Sequence, residues 1–271
     1  RRSLNLLTIE WANRGINLWT VEQGIIPLVT GQAQYPLPVD TIDLLDTTIR
    51  QNNGTTNQID INISRISEST YLTIPNKLTQ GRPIQIWVNR QSGQENATDI
   101  TLDGDILSTD TTITLSSTVG LASSGFIKIG SETISYPNVS GNQLINCARG
   151  QNNTTAAAHT SGDAITVQNL PSVYVWPTPN APGNQYSLVY YRMRRIQDAG
   201  SGTYVQDIPF RFISAMVAGL AYQLSTKLPE MDMNRIPMLK AEYEQQYQLA
   251  ADEDRDKAAL RVVPRNMFYY R

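Results

Sequence analysis

Residues 3–14 read SLNLLTIEWANR, and residues 25–31 read IIPLVTG. The first stretch places Leu7 and Trp11 one helical turn apart, and Gly15 follows at a position where helices commonly end. The second stretch opens a region rich in Gly, Pro, Thr and β-branched residues, which favours strands. The sequence therefore predicts an amphipathic helix at the start of the chain and a β-rich region after it.

Two later stretches alternate apolar and polar side chains with the period of a strand. The apolar positions are 59, 61 and 63 in the first stretch and 84, 86 and 88 in the second. This period of two predicts half-buried strands. Residues 65–78 between them are compatible with a short helix or with an irregular crossover.

A second β-rich region spans residues 98–167, where Gly, Ser and Asn clusters recur about every ten residues. It contains six acidic residues against two basic ones, whereas the rest of the chain is slightly basic. This shift predicts an inserted module. Residues 173–179 and 186–195 are predicted to be strands that rejoin the first sheet.

The last third of the sequence is predicted to be helical. Asp207 is expected to cap a helix that runs to residue 228, with Pro209 in its first turn. We expect its wide apolar stripe to be buried; the stripe contains Ile213, Met216, Val217, Leu220, Ala221, Leu224 and Leu228. A second helix is predicted from 235 to 261, and Pro264 ends helical geometry.

These elements predict an α+β fold. The N- and C-terminal helices are expected to form a helical bundle joined to a β-sheet region. The predicted host domain comprises 1–97 plus 168–271, and it is interrupted by a small all-β domain of sandwich or barrel type at 98–167. Residues 262–271 are predicted to be an extended arm.

Composition excludes several classes of function. The 271 residues contain 22 Lys and Arg against 24 Asp and Glu, so the protein is not a generally basic nucleic-acid coat. No apolar run is long enough to cross a membrane and no signal peptide is recognisable, so we expect a soluble, cytosolic chain. The residues before Trp11 already have a helical pattern, so Arg1 is not expected to be the natural start.

Few residues could support chemistry. Cys147 is the only cysteine and His159 the only histidine, so no intramolecular disulfide and no Cys/His zinc site can form. We expect Cys147 to be a small core residue and His159 to be solvated or locally hydrogen-bonded in a turn. Residues 99–105 have only a faint resemblance to a calcium loop. The sequence thus predicts no enzyme, no metal and no cofactor.

The C-terminal stretch combines arginine with aromatic side chains. The candidate partner-binding residues are Arg261, Arg265, Met267, Phe268, Tyr269 and Tyr270. This composition is typical of protein-binding hot spots, and it also fits single-stranded nucleic acid. We favour a protein partner, because the tail follows a long helix and no broad basic groove is indicated. A frayed terminus without a role is the remaining alternative.

Several segments resemble one family. They are the first helix with Trp11, the Gly-x-x-Leu-Trp step at 15–19, the Gly-Gln and Tyr-x-Leu-Pro motifs at 31–38, and the helix IPFRFISAMVAGLAYQLSTKL at 208–228. Together they resemble the head-to-tail adaptor proteins of tailed bacteriophages, which include tail tubular protein A and the packaged-DNA stabilisation adaptors. Residues 116–167 resemble a small β-module inserted in various phage structural proteins, although the compact adaptors lack such a module.

The resemblance implies a virion protein of the phage neck that is assembled in the host cytoplasm. It would form a homo-oligomeric ring, a dodecamer, beneath the portal protein. The ring would extend the channel through which double-stranded DNA passes during packaging and ejection, without sequence-specific binding. It would also offer a platform to the next tail or nozzle component.

Two other functions compete with this interpretation. The first is a carbohydrate-binding or host-recognition tail module, which would use exposed rings to stack on sugars. The rings concerned are Tyr71, Trp87, Tyr136 and Trp176. The second is a hydrolase that uses two carboxylates, for which the sequence offers no positive signal.

Overall fold

The structure is a computed structural model that describes residues 2–15, 18–181, 185–196, 207–228 and 232–253. The chain divides into two compact units. The helical unit comprises described residues up to Thr20 and from Ile196 onward, and the β unit comprises Val21–Arg195. The helices of the described chain are α1 (Arg2–Asn13), α2 (Glu68–Leu72), α3 (Ile213–Ser225) and α4 (Arg235–Glu253).

The helical unit packs α1, α3 and α4 around one apolar cluster. Its buried members are Leu7, Trp11, Ile196, Phe212, Ala215, Ala218, Tyr243, Tyr247 and Ala250. Helix α1 confirms the predicted first helix, and Gly15 follows it with a positive φ of 83°. A short 3₁₀ turn, Phe210–Phe212, leads into α3 with Pro209 at its N-cap, so Asp207 is not the cap that the sequence predicted. The predicted extension of the last helix to 261 lies outside the described residues.

Eighteen strands of the described chain lie in the β unit. The first group is β1 (Val21–Pro27), β2 (Gln34–Pro36), β3 (Thr41–Gln51), β4 (Ile59–Asn62), β5 (Ser64–Arg65), β6 (Gln80–Gly81) and β7 (Gln85–Asn89). The second group is β8 (Glu95–Thr101), β9 (Ile113–Thr114), β10 (Gly125–Ile129), β11 (Glu132–Tyr136), β12 (Asn138–Ser140), β13 (Gln143–Ile145), β14 (Ala148–Gln151) and β15 (Ala164–Gln168). The third group is β16 (Ser172–Trp176), β17 (Thr178–Pro179) and β18 (Tyr186–Arg194).

The strands of the first and third groups form a β-sandwich, apart from β6 and β17, which pair with each other. One sheet has the order β1-β18-β3-β4 and the other β2-β16-β7-β5. Alternating residues such as Ile86, Val88, Val173, Val175 and Leu188 fill the core between the two sheets. The prediction that the chain returns to earlier strands after the second group is confirmed, although β16 and β18 join different sheets.

The second group of strands forms a module with its own core. The module contains a five-stranded sheet, β14-β11-β10-β15-β8, and a three-stranded sheet, β12-β13-β9. Fully buried isoleucines and leucines, among them Ile113, Leu115, Ile127, Ile134 and Leu144, make up most of its core. The predicted domain boundaries at 97/98 and 167/168 remain a prediction, since the packing of the whole chain divides it at Thr20 and Arg195.

The predicted α+β fold, a helical bundle carrying an inserted β-domain, is wrong. Among the described residues, 38% lie in strands and 23% in helices. This part of the chain has four helices and several sheets. The long helical patterns at the two ends of the chain had indicated a bundle. The many short strands of the β unit, each weak in periodicity, contribute more residues to the fold.

No helix in the described part of the chain combines the length and apolarity needed to cross a membrane.

Candidate functional site

Helix α3 turns its small residues toward the core of the helical unit. Ala215, Ala218 and Gly219 are buried against α1 and α4. A Cβ atom at Gly219 would lie 2.8 Å from Cδ1 of Leu7 and 2.8 Å from Cε2 of Tyr243. The three helices therefore approach closely at this point because the inner face of α3 carries little side-chain volume.

The opposite face of α3 is apolar and exposed to solvent. Its exposed residues, which we call the α3 outer face, are Ile213, Val217 and Leu224; Phe210 before the helix and Leu228 after it are exposed as well. Val217 is 61% exposed and Leu224 is 43% exposed. Within the helix, the spacing of four and seven residues between Ile213, Val217 and Leu224 places these side chains on one stripe. An exposed apolar stripe of this kind is typical of a surface that a partner covers.

The sequence prediction that this stripe is buried is wrong. Of its seven predicted members none is classed as buried, and four are exposed: Ile213, Val217, Leu224 and Leu228. Hydropathy alone favours the face with the larger aliphatic side chains. The inner face was missed because alanine, glycine and serine give a weak hydropathy signal.

Hydrogen bonds and charges join α1 to α4. The indole N–H of Trp11 donates to the Tyr243 hydroxyl over 3.0 Å, and that hydroxyl donates to Oε1 of Glu10 over 3.0 Å. Burial raises the pKa of Tyr243, so the hydroxyl keeps its proton as a donor. Arg14 forms two 2.8 Å bonds to the carboxylate of Glu244. These bonds fix the two helices against which α3 packs.

The candidate reactive groups are used structurally. Cys147 is buried in the module core, as predicted, and burial raises the pKa of its thiol to about 12. A thiol with this pKa is not a thiolate at neutral pH. Within the described residues, no three His, Cys, Asp or Glu side chains converge on a position for a metal ion.

His159 lies in a buried ionic cluster around Glu132. Arg149 donates to the Glu132 carboxylate from Nε and Nη2 over 2.9 and 2.8 Å. Nε2 of His159 lies 2.8 Å from Oε2 of the same carboxylate, and the backbone N–H groups of Gly150 and Ala157 donate to it as well. The prediction that His159 is solvated or locally hydrogen-bonded in a turn is met only in part: its ring is hydrogen-bonded, but to a carboxylate 27 residues away in the sequence. The cluster ties β14 and the segment that follows it, as far as His159, to β11.

The arginines at the end of β18 are paired with carboxylates. Arg192 donates to Asp40 over 2.6 Å and to Glu22 over 2.9 Å, and Arg194 bonds to Glu22 as well. The guanidinium groups of Arg192 and Arg194, at the end of an interior strand, therefore face carboxylates of the same chain.

The rings considered for sugar binding differ in exposure. Tyr136 is 1% exposed within the module core, and Tyr71 is also buried. Trp87 and Trp176 are partly exposed. Tyr174, which the sequence reading did not single out, packs against Tyr71 and Trp87.

The predicted partner-binding residues lie outside the described residues. They are Arg261, Arg265, Met267, Phe268, Tyr269 and Tyr270, together with the rest of the predicted arm at 262–271. The sequence missed the α3 outer face as a candidate surface, although the apolar residues that form it were recognised.

Comparison with known proteins gives no family for this chain: no protein-family model matches the sequence, and neither does any curated protein.

Proposed function

We propose that the protein is a structural subunit of a phage head-to-tail connector, and not an enzyme. In this proposal the copies form a ring, twelve in number as the family resemblance implies, beneath the portal protein in the neck of the virion. The ring extends the DNA channel and carries the next tail component. Assembly takes place in the host cytoplasm.

The α3 outer face is the observation that carries the proposal. Its exposed aliphatic side chains would be desolvated between neighbouring copies, and burial of apolar surface is the main favourable term in protein association. A ring requires contacts that repeat around an axis and close. A stiff helix with one small-residue face inward and one large apolar face outward is well suited to such a contact.

The pairing of arginines with carboxylates supports the role of a DNA conduit. Arg192 and Arg194 are matched by Glu22 and Asp40, and the whole chain has a formal net charge of −2. Tight phosphate binding at many sites would slow a passing duplex. Weakly attractive walls let DNA move through in either direction.

The test is assembly of the full chain with purified portal rings. Wild-type protein should decorate portal rings in electron micrographs. Changing Val217→Glu and Leu224→Glu together should abolish decoration and leave monomers by light scattering, because charges would have to be buried between copies. Val119→Glu is the matched control, since Val119 is 86% exposed in the β unit.

Three results would count against the proposal. Wild-type chains that never decorate the portal would contradict the connector function. Decoration by the double variant at wild-type level would remove the α3 outer face from the contact. Loss of decoration by Val119→Glu would show that the effect is not specific to this face.

The proposed arm is tested separately. A chain that ends at residue 261 should attach to portal rings more weakly than the full chain, as judged by the fraction of decorated rings. Equal attachment of the two chains would discard the arm as a portal contact and leave the ring proposal in place.

A further inference from the structure

A cleft of about 520 Å³ opens in the β unit beside α2 and β7. This volume falls within the roughly 300–1,000 Å³ that is typical of small-molecule sites. Its lining combines the rings of Tyr71, Trp87 and Tyr174 with the uncharged amides of Gln34 and Asn89. Small-molecule sites are typically lined by aromatic and apolar side chains with a few fixed polar groups.

The three rings leave one face of the Trp87 indole without an aromatic neighbour from this cluster. The ring centroids of Trp87 and Tyr174 are 4.7 Å apart, those of Trp87 and Tyr71 are 5.3 Å apart, and those of the two tyrosines are 5.4 Å apart. Tyrosines on opposite faces of the indole would be separated by about twice a stacking distance. The two tyrosines therefore support Trp87 from the same side, and its side chain remains partly exposed.

Gln34 provides a polar group that the fold leaves unused. Its side chain is 2% exposed and lines the same cleft. Nε2 of Gln34 donates to the Ser172 hydroxyl over 3.3 Å, whereas Oε1 has no hydrogen-bond partner among the described residues. A buried acceptor without a donor destabilises the folded protein. A ligand hydroxyl would satisfy it.

A second cleft of about 560 Å³ shares Glu68, Trp87 and Asn89 with the first. Trp87 thus lies at the junction of two adjoining clefts. A ligand that crosses the indole can occupy both, so the arrangement fits a chain of linked rings as well as a single ring.

The basic group of the first cleft is already engaged. Nζ of Lys77 donates to the carbonyl oxygens of Leu72 and Ile74 over 3.3 and 3.1 Å. A phosphate or carboxylate ligand would have to compete for this ammonium group. The remaining polar lining of the first cleft consists of amides and hydroxyls together with Glu68, and the second cleft adds Arg65 and Arg90.

We propose that the two clefts bind a saccharide chain, with one sugar ring stacked on the Trp87 indole and one sugar hydroxyl donating to Oε1 of Gln34. Sugar rings present apolar C–H faces and hydroxyl edges, which match an aromatic face bordered by amides. This site lies in the β unit and does not depend on the connector proposal. It assigns to the β unit the recognition of a glycan, such as one on the host surface.

The experiment uses the full chain on an array of bacterial O-antigen and capsular oligosaccharides. Maltohexaose and chitohexaose serve as soluble probes in isothermal titration calorimetry. We expect binding to at least one saccharide, with Trp87→Ala weakening it ~10-fold or more. Gln34→Leu should weaken binding ~5-fold while the thermal midpoint stays near that of wild type. Trp176→Phe is the control, because Trp176 lies outside the lining of both clefts.

Absence of binding to every saccharide would overturn the inference. Binding that is equal in wild type, Trp87→Ala and Gln34→Leu would also overturn it, because the saccharide would then lie elsewhere. If Trp87→Ala fails to fold, Trp87→Phe and Gln34→Leu decide the question. Portal decoration is measured in parallel, so that loss of glycan binding and loss of assembly are distinguished.

Discussion

Glu132 shows how much one carboxylate can organise when it is removed from solvent. Burial alone would raise its pKa, but hydrogen bonds from Arg149, Ala157, His159 and Gly150 outweigh burial and lower the pKa to about 2. The carboxylate is therefore ionised in the folded protein at pH values where an unfolded chain would begin to protonate it.

We predict that this carboxylate makes stability depend on pH in acid. Because the pKa is lower in the folded state, the stabilisation is complete above the ordinary pKa of about 4.5 and is lost as pH falls toward about 2. Urea denaturation between pH 2 and pH 7 measures the effect. Glu132→Gln should lose ~3–5 kcal/mol at neutral pH, because Arg149 is left buried without its partner.

The comparison that isolates Glu132 is the difference between the two pH profiles. Between pH 4.5 and pH 2 the free energy of unfolding should fall more steeply for wild type than for Glu132→Gln. Parallel profiles would contradict the assignment. Asp105→Asn, at an exposed loop position of the same module, is a suitable control.

The sequence identifies the residues of this cluster but does not show that Arg149 and His159 contact the same carboxylate. His159 was recognised as the only imidazole and Arg149 as one of two basic residues of the module. Their partner is 27 and 17 residues away on another strand. Such a contact depends on the sheet order, which residue spacing does not give.

The close packing of α3 against α1 and α4 leads to a prediction about stability. Gly219→Ala replaces glycine by the best helix former, a gain of about 1 kcal/mol in an exposed helix. The added Cβ would lie within 2.8 Å of atoms of Leu7 and Tyr243. Because overpacking costs about 1–3 kcal/mol, we expect a net loss of stability in thermal denaturation.

Ser214→Ala is the matched control for this substitution. Ser214 is an exposed position of the same helix, so alanine should there be neutral or stabilising. A Gly219→Ala protein that melts above wild type would show that the three helices can move apart without cost.

The limits of sequence reading are clear in the same helix. Its existence and approximate ends were predictable, because strong helix formers follow Pro209 over several turns. Its orientation was not, because the face with the larger side chains was taken as the core. In β7 the alternation of Ile86 and Val88 did identify the buried face, since both are buried whereas Gln85, Trp87 and Asn89 between and beside them are only partly buried.

The β unit is one continuous segment of the polypeptide chain. All members of its two core clusters lie between Leu28 and Tyr190. We therefore predict that residues 21–195 expressed alone fold cooperatively, with a sharp thermal transition and dispersed amide resonances. An unfolded or molten fragment would contradict this division of the chain.

The fold class was the part of the whole molecule that the sequence misjudged. Long amphipathic helices give a periodic hydropathy signal over many residues, whereas two-residue strands such as β5, β6 and β17 are too short to show any periodicity. The sandwich and the module depend on pairing between distant strands. The function proposed from the family resemblance stays a proposal that the assembly experiment decides.

The position of β18 has a consequence for synthesis on the ribosome. This strand lies between β1 and β3, so its four-stranded sheet cannot form completely until residue 194 has left the exit tunnel. The strands of the module pair among themselves and emerge earlier. The middle of the nascent polypeptide can therefore fold first, whereas β1 and β3 cannot pair with β18 until it has been translated more than a hundred codons later.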